Sequence, residues 1–157
     1  MEVDFLFQIG DNIVYPMHGA GIIEAIEEKE ILGETKQYYI IRMSASNMQV
    51  MIPKDKISNS NIRPVTEINA LKHIIHIFQH GESEKVPMKQ RFKVNTDKIK
   101  TGKLQEAAEV VRDLMRIKKE TSLNTSEKQL FDNAHKFLIS ELKLIKGITE
   151  NQIKVFR

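Results

Sequence analysis

Short apolar runs, each closed by turn residues, characterise the first part of the chain. These runs cover residues 13–15, 22–26, 38–41 and 48–52. Four short runs with turn residues at close spacing predict antiparallel strands that form a small, strongly bent barrel or half-barrel. The second strand is expected to finish in the charged residues that precede Gly33. Gly19 and Gly21 bracket the entry to that strand, where glycine permits a kink or the close approach of another backbone.

From residue 66 onward the apolar residues recur every three or four positions, which is the period of a helix. In the first such segment they are Ile68, Leu71, Ile74, Ile75 and Phe78. We expect Thr66 to be the N-cap of this helix and Gly81 to end it. A polar linker, residues 80–87, follows. Pro87 is then expected at the first position of a second helix that ends at Gly102.

Three more helices are predicted beyond the second one. The third runs from residue 103 to about residue 120 and carries an apolar face. Asn124 and Glu127 have the spacing of a capping box, which predicts the start of a fourth helix that Gly147 ends. Thr149 and Gln152 form a second such pair and open a short last helix. The second part of the chain is therefore expected to be all-helical.

The change of period near residue 66 predicts two domains. Residues 1–66 form a small antiparallel β-domain, and residues 67–157 form a compact helical domain of about five helices. A domain of this size is only marginally stable alone, so we expect each one to be stabilised by contact with the other domain or with a partner. A monomer is expected, with a domain-swapped dimer as the alternative.

The distribution of charge differs between the two halves. Residues 1–67 hold 6 Lys and Arg against 10 Asp and Glu, whereas residues 68–157 hold 18 against 11. Seven basic residues face one acid between Lys85 and Lys103. Such asymmetry predicts two surfaces with different partners. For the basic stretch, nucleic acid and a solvated helical face both remain open.

Several classes of protein are disfavoured. The chain has no cysteine, which excludes disulfides and thiolate chemistry and fits a reducing cytoplasm. We expect no membrane span and no signal peptide, because no apolar run is long enough and the first residues lack a basic region. No phosphate-binding glycine loop, HExxH motif or nucleophile elbow occurs, so we expect neither catalysis nor a cofactor.

Three histidines, His73, His76 and His80, recur at helical spacing. Residues at these intervals lie near one another on a helix and could hold a metal ion. The alternative is that they form the polar side of a helix whose apolar stripe faces the core. We favour that alternative and expect no metal site, because no carboxylate or cysteine nearby completes a ligand set.

A series of motifs in fixed order resembles the CarD (CdnL) family of bacterial transcription regulators, which bind RNA polymerase. The motifs are GDxxVYPxHGxGxI, YYI, MxVMIP, IRPV, AEVVRDLMR and SEKQLF, which together cover nearly the whole chain. The first of the two domains is also similar to the polymerase-interacting domain of the transcription–repair coupling factor. The resemblance implies a Tudor/SH3-like β-barrel followed by a helical domain.

The resemblance also implies which residues contact the polymerase. In the family the β-domain docks on the polymerase β subunit, and the matching positions are Lys29, Ile31 and Met51. Lys29 stands where relatives have arginine, and some relatives also have arginine at the position of Met51. Methionine packs adaptably but forms no bidentate ion pair, so the polarity of this interface is expected to differ. The alternative for Met51 is an inward-facing strand residue.

A second set of residues is implied for DNA. In the family a tryptophan at the start of the second helix wedges into the minor groove, and Met88 takes that position here. Lys89, Arg91, Lys93 and Lys128 are the expected phosphate contacts. Apolar minor-groove wedges include methionine. The alternative is that Met88 packs on Phe92, which is expected in the core.

The function implied is a regulator that tethers to the RNA polymerase β subunit and contacts promoter DNA at the upstream edge of the transcription bubble. DNA contact is expected to be weak and largely independent of sequence. The chief alternative is a free-standing basic DNA-binding protein with a structural β-domain. An adaptor that binds only proteins and a metal enzyme centred on the histidines are further alternatives.

Overall fold

The structure is a computed structural model that describes residues 7–157. It divides into two compact units, one ending at Val65 and one spanning residues 66–157. The first unit is an antiparallel sheet and the second is all-helical. The predicted fold class, a small antiparallel β-domain followed by a helical domain, is confirmed.

Five strands form the sheet of the first unit. They are β1, Asn12–Tyr15; β2, Gly19–Ile31; β3, Glu34–Met43; β4, Gln49–Pro53; and β5, Arg63–Pro64. A 3₁₀ helix, Lys54–Asn59, lies between the last two. All neighbours are antiparallel, in the order β4-β3-β2-β1-β5. Four of the strands follow the apolar runs in the sequence, and the two-residue β5 adds a fifth.

The second strand is longer than its apolar run. It continues through the charged residues 27–30 and pairs with β3 up to the Ile31–Glu34 pair, which Leu32 and Gly33 connect. A β-bulge between Ile23 and Ala25 bends it. The strand thus runs through its charged residues and ends at Ile31, directly before the turn at Gly33. A charged residue is compatible with a strand when its side chain points to solvent and the backbone ladder is complete.

One side of the sheet carries the apolar core of the β-domain. Its members include Ile13, Ile23, Tyr39, Ile41, Met43, Ile52, Ile57 and Ile62. Phe7 packs edge-on against Tyr39, with ring centroids 6.2 Å apart, and its carbonyl accepts a 3.3 Å hydrogen bond from the Tyr39 hydroxyl. Gly21 faces β3 so closely that a Cβ there would lie 2.8 Å from the Arg42 carbonyl oxygen. Glycine is thus required at this position for the backbones to approach.

Five α-helices form within residues 66–157. They are α1, Ile68–His80; α2, Met88–Lys100; α3, Leu104–Glu120; α4, Thr125–Leu142; and α5, Glu150–Lys154. Their apolar faces meet in a core that includes Leu71, Phe78, Ala108, Val111, Leu114, Leu138, Leu142 and Phe156. Thr149 and Gln152 form the predicted capping box of α5. Of the helices described, none combines the length and the apolarity needed to cross a bilayer.

The start of α1 differs from the prediction. Its N-cap is Glu67, without a side-chain cap, and not Thr66. Thr66 instead donates to the buried carboxylate of Glu141 on α4, through its backbone nitrogen (2.9 Å) and its hydroxyl (2.6 Å). A threonine before a helix can accept a hydrogen bond from the first N–H groups of that helix, or it can donate its hydroxyl to a buried acid. The packing of the helices decides which of the two it does.

Side chains of α3 hold the linker between α1 and α2 in place. Arg112, which is 6% exposed, donates to the Glu82 carbonyl (3.3 Å) and to Asp113 Oδ1 (2.9 Å). The Ser83 hydroxyl donates to the same Asp113 oxygen and accepts from Arg116 Nη1 at 2.8 Å. Such charge-assisted bonds are strong and directional. The linker, although polar as predicted, is thus fixed in position just before α2 begins.

Candidate functional site

The first turn of α2 projects its side chains into solvent. Pro87 is the N-cap of this helix, so the prediction that it takes the first helical position is wrong by one residue. Met88 is 69% exposed, and Lys89 beside it is also exposed. The first turn of a helix leaves N–H groups unpaired within the helix and bears the positive end of its dipole. An apolar tip and a cation therefore stand together where the backbone favours anions.

Phe92 extends this apolar tip along the helix. It lies one turn after Met88, and residues four apart on a helix are neighbours on one side. The Phe92 side chain is 43% exposed, so the prediction that it belongs to the core is wrong. The buried side of α2 is formed by Asn95 and Ile99. Phe92 stands at the border of that side, where it is half solvated.

Two lysines, Lys89 and Lys93, follow the same spacing on the neighbouring side of α2. The Lys93 ammonium lies 2.8 Å from Asp97 Oδ2, and the lysine side chain is 81% exposed. This hydrogen bond lowers the pKa of Asp97. Exposed ion pairs at this spacing are weak, so a phosphate competes easily with Asp97 for Lys93. Both lysines are placed to meet a polyanion beside the apolar tip.

Arg91 is engaged differently from the two lysines. Its guanidinium donates to both carboxylate oxygens of Glu127 on α4, at 2.6 and 2.8 Å. The Glu127 side chain is 2% exposed and that of Arg91 is 16% exposed. Hydrogen bonds from Arg91 lower the pKa of Glu127, so the carboxylate remains ionised and the pair is bidentate. The structure thus commits Arg91 to an internal clamp, and its role as a phosphate contact remains a prediction.

The same contact alters the predicted capping box of α4. Asn124 Oδ1 accepts from the Glu127 backbone nitrogen at 2.8 Å, as expected for an N-cap. The Glu127 side chain, however, does not return to Asn124, because it is bound to Arg91. Half of the capping box is therefore replaced by a bond between helices. This bond brings the first turns of α2 and α4 together.

Lys128 follows the clamp in the first turn of α4. Its side chain is exposed. It lines a surface depression together with Lys118 and Phe131, and the Lys118 ammonium lies 5.6 Å from the Phe131 ring centroid. Because Glu127 is tied to α2, Lys128 is held near the start of that helix. Met88, Lys89 and Lys93 thus stand on α2, and Lys128 stands in the first turn of α4, which the Arg91–Glu127 bond joins to α2.

In the β-domain, the three positions implied for the polymerase lie on one face of the sheet. Met51 pairs with Ile40, which pairs with Ala25, and directly paired residues point to the same side. Along β2 the side chains alternate, so Lys29 and Ile31 point to that side too. Ile31 is 44% exposed and Met51 is 43% exposed. Met51 therefore faces solvent, and the inward-facing alternative for it is not observed.

This face is bordered by an edge strand. β4 is the last strand on its side of the sheet. Lys29 Nζ lies 3.2 Å from Glu27 Oε1, and both side chains are about half exposed. Such a pair is easily exchanged for an acid on a partner. The face thus combines exchangeable charge with apolar side chains, next to backbone groups that can extend another sheet.

The three histidines of α1 are exposed. The rings of His76 and His80 have centroids 5.0 Å apart. Among the described residues, no group of three or more histidine or carboxylate side chains is arranged to hold a metal ion.

Two family models match the chain. Residues 7–66 match the CarD-like/TRCF RID domain, and residues 73–156 match the CarD C-terminal domain. The chain belongs to the CarD family. It is also 75% identical to the Bacillus subtilis (strain 168) protein named "Putative transcription factor YdeB". The alignment spans 152 residues and covers 96% of this chain and 99% of that protein.

Membership of the CarD family confirms the resemblance drawn from the motifs. The family regulates transcription through interaction with RNA polymerase, and the first matched domain is a polymerase-interacting one. The exposed faces described above therefore belong to a transcription factor.

Proposed function

We propose that this CarD-family protein tethers to the β subunit of RNA polymerase and contacts promoter DNA at the upstream edge of the transcription bubble. The β-domain supplies the tether through the face that bears Lys29, Ile31 and Met51. The start of α2 supplies the DNA contact. The consequence is a change in the stability of the open promoter complex, without catalysis.

The exposed pair Met88 and Phe92 carries the proposal for DNA. Two large apolar side chains on a helix surface cost solvation free energy unless a partner covers them. Lys89 and Lys93 beside them match a phosphate backbone, which positions a protein without reading sequence. Apolar side chains inserted between base steps unstack and bend the duplex. We infer that Met88 enters the minor groove while Phe92 stacks beside it.

The tether explains why the DNA contact can be weak. A second binding event within one complex proceeds at an effective concentration in about the millimolar range for a short linker. A surface with few phosphate contacts is then occupied once the polymerase is bound. Sequence independence is appropriate here, because the polymerase itself selects the promoter.

The first experiment tests the tether. Purified bacterial RNA polymerase is used to capture the wild-type chain and a Lys29→Glu, Met51→Glu double variant. We expect the polymerase to retain the wild type and to lose the variant, because both changes place acids on the docking face, which is the face that bears Lys29, Ile31 and Met51. Retention of the variant at wild-type levels would place the polymerase contact elsewhere.

The second experiment tests the DNA contact. The lifetime of the open promoter complex is measured with a Lys89→Glu, Lys93→Glu variant. A matched control is Lys143→Glu, Lys146→Glu, which makes the same charge change at exposed positions after α4. We expect the first variant alone to lose the effect on lifetime while it still binds polymerase. If both variants shorten the lifetime equally, the effect depends on the net charge of the protein and not on the positions of Lys89 and Lys93.

A measurement on bare DNA separates the proposal from its alternative. A free-standing DNA-binding protein binds duplex DNA tightly without polymerase, and its affinity falls steeply with salt. The tethered mechanism predicts feeble binding of the isolated chain at moderate salt. Tight binding alone would favour the alternative, in which the β-domain is structural.

A further inference from the structure

The β2–β3 connection is a two-residue hairpin turn with an unusual first residue. Leu32 has φ 52° and Gly33 has φ 80°. Turns with two positive φ angles match the twist of a hairpin, and their first position strongly favours asparagine, aspartate or glycine. Leucine in this left-handed region is strained, because its Cβ crowds the backbone. Among the other described residues with positive φ, all are glycine or asparagine except Met17.

Leu32 gains nothing from packing to offset that strain. Its side chain is 99% exposed. A leucine in full contact with water at a strained position stabilises neither the turn nor the core. Residues held in sparsely populated conformations cluster at binding sites and switch regions.

The turn lies at the end of a projecting arm. β4 pairs with β3 only between Tyr38 and Arg42, and β1 pairs with β2 only up to Ile22. Residues 28–37 therefore pair only with each other, as a two-stranded hairpin arm. Ile31 beside the turn is 44% exposed, so the end of the arm is apolar.

We propose that Leu32 is an apolar anchor by which the hairpin arm inserts into a recess on RNA polymerase. The inference rests on the proposed tether, because the arm also carries Lys29 and Ile31 of the docking face. Glu28, Glu30 and Glu34 outnumber the two lysines of the arm. The complementary recess is therefore apolar with a basic rim. Burial of a fully exposed leucine in such a recess removes its apolar surface from water, which stabilises the complex.

The two roles that Leu32 could have predict opposite outcomes for one substitution. Asparagine fits the left-handed position better than leucine, so Leu32→Asn improves the turn. If Leu32 serves the turn alone, the variant folds at least as well and binds polymerase as before. If Leu32 is an anchor, the variant is equally or more stable and yet binds weakly.

The test measures two quantities on the full chain. The affinity for purified RNA polymerase and the melting temperature are determined for the wild type, Leu32→Asn, Leu32→Gly and Leu32→Met. We expect Leu32→Asn and Leu32→Gly to weaken binding about tenfold, as for a central apolar contact. Their melting temperatures remain equal or rise. Leu32→Met, which keeps an apolar side chain, binds within about twofold of the wild type.

A matched control is Met48→Asn, which removes an exposed apolar side chain, 61% exposed, in the turn between β3 and β4. It is expected to leave binding unchanged. If the wild type and Leu32→Asn bind polymerase with the same affinity, Leu32 is not an anchor, while the proposed tether still holds. Weaker binding accompanied by a lower melting temperature in both turn variants would overturn it too. No binding by the wild type would overturn the tether and the anchor together.

Discussion

The start of α2 and the hairpin arm both expose apolar side chains, but they are supported in different ways. Met88 and Phe92 stand on α2. Arg91, which precedes Phe92 on the same helix, is held by a buried bidentate bond to Glu127 of α4. The hairpin arm carries Ile31 and Leu32, and its own ion pairs are exposed. The helix is thus oriented by interior contacts, whereas the arm depends on its backbone ladder and on water-exposed charges.

This difference indicates how each surface meets its partner. A rigid, preorganised surface loses little entropy when it binds, which suits an apolar side chain that must enter a narrow groove. A two-stranded arm has few contacts to restrain it and adjusts more easily to the surface of a protein. Loss of the buried Arg91–Glu127 bond should therefore destabilise the helical domain much more than loss of an exposed ion pair destabilises the β-domain.

The largest expected effect is that of Glu127→Ala. It leaves the Arg91 guanidinium without its bidentate partner beside the core, and breaking a buried pair in this way costs about 3 kcal/mol. Urea unfolding followed by helical circular dichroism measures this loss. Asp97→Ala, which removes the exposed partner of Lys93 on the same helix, is the control and should unfold like the wild type. Similar unfolding of both variants would show that the clamp adds no more stability than an exposed ion pair.

Acidification should weaken the same clamp more gently. Arg91 lowers the pKa of folded Glu127 below that of the unfolded chain. The carboxylate therefore contributes stability that is fully present above the unfolded pKa and is lost as the pH falls through the folded pKa. The loss is smaller than that caused by Glu127→Ala, because a protonated carboxyl still accepts a hydrogen bond. Unfolding of the wild type and Glu127→Gln across acidic pH should show a shallower decline for the variant, and parallel curves would contradict this.

Truncation of the apolar tip should affect function without affecting folding. We expect Met88→Ala, Phe92→Ala to shorten the lifetime of the open complex about tenfold, since stacking of one aromatic side chain on a base is worth about 1–3 kcal/mol. The melting temperature should fall only slightly, because Met88 is mostly exposed and Phe92 is only half buried. Met48→Ala, at an exposed position of the β-domain, is the control. An unchanged lifetime in the double variant would remove the tip from the DNA contact.

The smallest expected effect belongs to an exposed network of the sheet. Glu24 accepts from Arg42 Nε and from Gln49 Nε2 at 2.6 Å, and these hydrogen bonds lower its pKa. Exposed pairs contribute little to stability. Glu24→Ala should shift the melting temperature by less than about 2 °C. A shift as large as that caused by Glu127→Ala would show that the exposed network stabilises the β-domain as much as the buried pair stabilises the helical domain.

Much of the architecture was predictable because it depends on local chemistry. The apolar runs of β1 to β4 and the helical period after residue 66 mark the elements where they occur. Thr149 and Gln152 cap α5 as their spacing indicates. Local signals of this kind involve neighbours in sequence, so no knowledge of distant partners is needed.

Three of the errors, at Thr66, Glu127 and Phe92, come from contacts between helices that the local sequence does not show. Thr66 and Glu127 each have the side chain of a capping residue, and each binds another helix instead. Phe92 has helical spacing from core residues but stands at their border, where packing leaves it half exposed. A sequence shows which hydrogen bonds a side chain can make, but the partner it takes depends on which elements pack against it.

The sequence by itself determined the family, the two-domain architecture and the positions of the cations and apolar residues that the family uses. It could do so because motif order, periodicity and charge are properties of the chain alone. Only the tertiary structure decided that Arg91 is committed to Glu127 and that Lys29, Ile31 and Met51 share one face. It also decided that Leu32 stands strained and solvated at the end of an arm. These outcomes follow from sheet register and helix packing, which bring together residues that are distant in sequence.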